Sequence, residues 1–147
     1  MTLIDRTRTA HPGARIHRAR RILLWINGAF LVIVGGIQVT FELLAHYADA
    51  GPYAGIFTDS PYTIGWVENH GLALLIGILV LAVATRDGRR WWHVFLLAVH
   101  VLLGTANLVF WDSFQVFDKV GMGVVATAAH AGFVIAHLVA LRRPGTA

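Results

Sequence analysis

Four long apolar runs alternate with short polar stretches along this chain, at residues 22–45, 63–84, 91–110 and 121–141. At 1.5 Å per residue each run extends roughly 30–36 Å as a helix, enough to cross a hydrocarbon core of about 30 Å. The pattern therefore predicts four membrane-spanning helices. Between the first two lies a loop, 46–62, rich in turn residues: Gly51-Pro52, Gly55, Asp59 and Ser60-Pro61. A short interfacial helix is expected around Tyr53–Phe57. Arg86 to Arg90 forms a tight basic turn, 112–120 reads as a short loop, and Pro144 closes the last helix. Residues 1–21 read as a basic cytoplasmic tail in which Pro12-Gly13 argues against one continuous helix. Arg20-Arg21 before an apolar run faintly suggests an export signal, but a signal core is about 7–15 residues and this run is longer. Residues 22–143 make up the predicted transmembrane domain.

Charge fixes the expected topology. Of the 12 Lys and Arg, 11 lie in the tail, the 86–90 turn or the Arg142-Arg143 pair, and Lys119 alone lies on the other side. By the positive-inside rule both termini are cytoplasmic. Trp25, Trp91 and Trp92 then mark one interface, and Trp66 and Trp111 the other. Short connections make neighbouring helices antiparallel. The expected fold is all-α, an integral membrane four-helix up-and-down bundle in a bacterial inner membrane. Gly28, Gly35 and Gly36, Gly71 and Gly77, and Gly121, Gly123 and Gly132 are candidates for close helix approach.

Composition adds exclusions. Only 14% of residues are charged and 56% are hydrophobic, against about 25% charged in a soluble domain. No cysteine is present, so thiolate metal sites, iron–sulfur ligation and disulfides fall outside this chain's chemistry. There is no Gly-x-Ser-x-Gly and no phosphate-binding glycine loop. Basic residues that report topology give no reason to expect nucleic acid as a partner. The lipid bilayer, further membrane subunits or a second copy of the chain are the expected partners.

The chemistry lies in polar residues inside the apolar runs, where a charge costs about 2.5–3.5 kcal/mol. Trp66-Val67-Glu68-Asn69-His70-Gly71 opens the second run. Three consecutive residues fan out about 100° apart on a helix, so Glu68, Asn69 and His70 cannot share a target. Elsewhere helical spacing gathers stripes: Gln38, Glu42 and His46; His93, His100 and Asn107; Gly123, His130 and His137. Their depths suggest a polar cleft opening outward and narrowing to a His100/His130 pair. In that arrangement Glu68 and His70 would shuttle protons, with His100, His130, Asn107 and Glu42 holding a cofactor or substrate headgroup. Several chemistries compete: hydrogen-bonded packing between helices, haem b held by His100 and His130, a metal held by His100 or His130 with His70 and Glu42 or Glu68, or a quinone-type pocket. The functional expectation is a redox-linked accessory subunit; its alternative is a structural or assembly protein locked by its polar stripes.

The layout resembles the DoxX-like family of small four-helix bacterial membrane proteins. Arg21-Ile22-Leu23-Leu24 before a Gly-rich helix, Val67-Glu68 opening the next, Gly71 and Gly77 within it, and Thr85-Arg86 closing it carry the resemblance over roughly residues 20–142. It implies a quinone-linked or redox-stress role and carries over one position, Glu68. The His100–Asn107 stripe and the His130/His137 pair depart from the family pattern.

Overall fold

The computed structural model describes residues 12–86 and 89–142 and is all-helical there, with no strand. Its order is α1 (Pro12–Ala48), α2 (Thr63–Ala84), α3 (Arg90–Val109), α4 (Trp111–Val116) and α5 (Val120–Arg142). All but α4 are long and apolar enough to cross a membrane. Residues 1–11 of the expected tail, and Arg143, lie outside the described residues.

Three local expectations are corrected. First, α1 begins at Pro12 rather than at Ile22 and runs through the stretch where Pro12-Gly13 was expected to break it. Proline at a first helical position supplies no hydrogen bond that the helix would miss, and its φ suits the turn. Two arginines then tie this extension down. Arg20 donates to Ala140 O through Nε and Nη2, at 3.2 and 3.1 Å. Arg21 donates to Ala84 O and Thr85 O, at 3.1 Å each. Cationic side chains thus satisfy C-terminal carbonyls of α5 and α2 that have no partner within their own helices. Second, residues 111–116 form the helix α4 instead of loop, because Phe114 is buried against Gly123. Third, Tyr53–Phe57 forms turns, not a helix. Left-handed backbone at Gly51 (φ 84°) and Gly55 (φ 73°) punctuates it.

Helix direction follows from the contacts. Gly28 meets Gly77 and Leu81, and Gly35 meets His70 and Leu74, so α1 and α2 are antiparallel. His93 meets His137 and His100 meets His130, so α3 and α5 are antiparallel too. All the described arginines lie at one end, the basic end. Asp49, Asp59, Asp112 and Asp118 lie at the other, the acidic end. An apolar core of Leu24, Leu31, Val80, Ala84, Trp92 and Leu96 fills the basic half. The outer faces are apolar, with Leu72, Leu102 and Val125 all at least 60% exposed. In a soluble protein such surface would demand a cover.

Loop 49–62 folds over the acidic end. Tyr53 and Phe57 are buried with Ala45 and packed by Phe41, Trp66 and Met122. Asp49 Oδ1 accepts from Gly55 N (2.7 Å) and from the Thr58 hydroxyl (2.5 Å). Those donors, the Thr58 hydroxyl first, hold the Asp49 carboxyl below its usual pKa.

Candidate functional site

Buried polar side chains gather in two places. At the acidic end, between α1 and α2, Glu42 is fully buried and its Oε1 lies 2.5 Å from His70 Nδ1. The other carboxylate oxygen, Oε2, is buried without a partner. Close by, the Tyr53 hydroxyl donates to Gln38 Oε1 at 2.7 Å and lies 3.1 Å from Met122 Sδ. Burial raises the Tyr53 pKa, so the phenol stays a donor. The three-residue fan resolves as the helix geometry requires: His70 turns inward to Glu42, while Glu68 and Asn69 are exposed. Glu68 joins neither polar group.

The second group lies between α1, α3 and α5. Asn27, His93, His100 and His137 are all fully buried. They form one line with His130. His93 Nδ1 lies 3.0 Å from His137 Nδ1. Asn27 Nδ2 lies 3.2 Å from His137 Nε2 and 2.6 Å from His100 Nε2. His100 Nδ1 lies 2.9 Å from His130 Nδ1. The line therefore runs His93–His137–Asn27–His100–His130. His93 and His100 are two turns apart on α3, so it climbs roughly 10 Å along the bundle. Phe133 stacks on His100 with centroids 4.6 Å apart and planes 12° apart. Phe30 packs on Phe133 at 5.0 Å. These rings fix the imidazole planes and shield them.

The line is not fully satisfied. Asn27 Oδ1 and His93 Nε2 are buried without partners. Towards the acidic end, Thr127 Oγ1 and Asn107 Nδ2 are buried and unpartnered as well. Native interiors leave few such atoms, and each one calls for an explanation.

The structure brings His100 and His130 together, and Glu42 and His70 together, but it keeps these pairs apart. A cavity of about 270 Å³ lies at the basic end instead, lined by Ile16, Arg20, Leu23, Ala136 and Val139 among others. Neither haem nor a metal ion fits the His100/His130 pair. Iron between two imidazoles separates their ligating nitrogens by about 4 Å, taking about 2 Å per metal–nitrogen bond. Here the facing nitrogens are in direct contact, and His100's other nitrogen is engaged by Asn27. A Cβ at Gly104 would lie 3.3 Å from His130 Cβ, so α3 and α5 leave no slot for a macrocycle. Among the described residues no three His, Asp or Glu converge as a metal site would require.

Asn27 carries no mark in the sequence stripes named above, yet its signal is present. Arg20, Leu24, Asn27, Leu31, Gln38 and Glu42 follow one helical stripe, and continuing the Gln38/Glu42 stripe back along α1 reaches it. No protein-family model, no curated protein and no solved structure matches this chain.

Proposed function

We propose that this is a multi-pass protein of a bacterial inner membrane, termini cytoplasmic, whose buried imidazole line accepts and passes protons within the bilayer for a redox-linked partner. One observation carries this reading: two hydrogen-bonded imidazole pairs at helix depth, joined through the Asn27 amide and bordered by buried polar atoms without partners. A neutral imidazole carries one donor and one acceptor nitrogen, so adjacent imidazoles can hand a proton along as a relay. Orphan polar atoms in an apolar medium call for water or a mobile proton. The resemblance to DoxX-like proteins favours a quinone-linked partner. This chain supplies proton-handling groups, and the electrons belong to the partner.

The second reading is a structural or assembly protein. It draws on the way the imidazole line ties α1 to both α3 and α5. Imidazole exchange separates the two. In lipid bilayers transferred to D2O, a relay exchanges its ring N–H protons within minutes, while backbone amides of α3 and α5 at the same depth stay protected. Ring protons as slow as those amides would leave only the structural reading.

A further inference from the structure

Asn27 breaks the line into two. The same amide atom, Nδ2, faces His100 Nε2 at 2.6 Å and His137 Nε2 at 3.2 Å. No hydrogen bond joins those two rings directly among the described residues. With Nδ2 in this place, the amide donates to both rings. Each ring then accepts at Nε2, carries its proton on Nδ1, and donates outward to His130 or to His93. Turned over, the amide oxygen accepts from both rings, and every bond in the line reverses. In both orientations of the amide the polarity of the line inverts at Asn27.

A proton relay needs one polarity throughout, because each member must receive a proton on one side and release another on the opposite side. An amide does neither: it is not a base near neutral pH, and its N–H protons are not acidic. We infer that Asn27 insulates the two imidazole pairs, so that His93/His137 exchange protons towards the basic end, His100/His130 towards the acidic end, and none passes between. This rests on the proton-handling reading above. It turns the line from a channel into two facing proton stores, which lets a partner draw on either side without discharging the membrane.

Two features support the division. The rings meeting Asn27 are the two innermost of the four, so both outer members, His93 and His130, end with like polarity. The unpartnered polar atoms also fall on both sides of the break: His93 Nε2 on one, Thr127 Oγ1 and Asn107 Nδ2 on the other.

The test is Asn27→Asp, which keeps size and shape but installs a group that relays. A proton leaving His100 Nε2 would bond to one carboxylate oxygen, and the resulting carboxylic acid would release a proton to His137 Nε2, restoring the carboxylate. Pyranine-loaded proteoliposomes under an imposed potassium–valinomycin potential read the flux. Wild type should match protein-free vesicles. Asn27→Asp should conduct on the order of 10²-fold faster, the lower end of what a positioned acid–base group contributes. Asn27→Asp with His137→Ala should fall back to the wild-type level. Wild-type flux equal to that of Asn27→Asp overturns the inference. So does a silent Asn27→Asp whose ring protons still exchange rapidly, an outcome that leaves the proton-handling reading standing. Slow ring exchange in wild type would remove that reading itself. If the variant fails to fold, nitrogen-15 spectra of the wild type decide: His100 and His137 must share one tautomer, and opposite tautomers overturn the inversion.

Discussion

The α1–α2 contact offers a test in which two glycines should respond with opposite signs. A Cβ on Gly77 would lie 2.8 Å from Val32 N and 2.9 Å from Gly28 O. Ordinary contacts of a Cβ start near 3.4 Å, so the helices must part by more than half an ångström. The obstacle is backbone, which no rotamer change relieves. Overpacking of this kind costs roughly 1–3 kcal/mol. Gly36, on the same helix pair, has nothing within 4 Å of its hypothetical Cβ. There the backbone entropy of glycine in a helix decides the outcome, and it favours alanine by roughly 0.5–1 kcal/mol. The same entropy gain offsets part of the cost at Gly77, leaving a net loss of up to about 2.5 kcal/mol; at roughly 2–4 °C per kcal/mol, Gly77→Ala should lower Tm by up to about 10 °C. Gly36→Ala should leave it unchanged or raise it. Thermal unfolding in one detergent, followed by circular dichroism, reads both. Gly77→Ala and Gly36→Ala shifting Tm in the same direction by the same amount would refute the packing of α1 on α2.

Three further outcomes follow from the polar groups. Asn27→Leu strands two imidazole nitrogens, whereas His93→Leu strands one; at about 1–3 kcal/mol for each buried unsatisfied group, denaturant titration should show roughly twice the loss for Asn27→Leu. Protein purified from haem-supplied cells should show no Soret band before or after dithionite, because His100 and His130 leave no gap for iron; a band that sharpens on reduction would overturn that geometry. Asp49 has a depressed pKa in the fold, so its hold on loop 49–62 is complete above the ordinary aspartate range and is lost as pH falls through the lowered value. The Gly55 amide resonance should report that loss, and Asp49→Asn should remove its pH dependence.

The helices, the division of charge between two ends and the residues of the imidazole line (Asn27 excepted) are legible in the sequence because length, hydropathy and helical spacing are local properties. The pairing of those residues is not. Helical stripes on α1 and α3 point to one cleft, yet they meet only at Asn27 and His100; farther along α1, Glu42 turns to His70 of α2, while His100 also pairs with His130 of α5. Gly28, Gly35, Gly77 and Gly123 are close contacts, whereas Gly36, Gly71, Gly121 and Gly132 face open space. Glycine count alone does not distinguish them. The start of α1 is hidden for a similar reason. Pro12 breaks a helix interior but suits a helix start, and the carbonyls that anchor Arg20 and Arg21 belong to helices far along the chain.

Adhesion by itself gives a poor account of the imidazole line. Leu24 and Leu31 of α1 already share an apolar core with Trp92 and Leu96 of α3, and more of the same would join these helices without orphan atoms. Buried polar groups replaced together by apolar ones of similar volume often leave stability unchanged or raised, because no partner is stranded. The decisive variant therefore changes the whole line at once: Asn27→Leu with leucine or phenylalanine at 93, 100, 130 and 137. If the line exists for proton handling, this variant should fold, with Tm equal to or above wild type, even though Asn27→Leu alone is destabilised. Its flux should stay at background when Asn27→Asp is tested beside it. Failure of the fully apolar variant to fold, with each single substitution equally harmful, would mean that the imidazoles are there to specify the packing of α1 against α3 and α5.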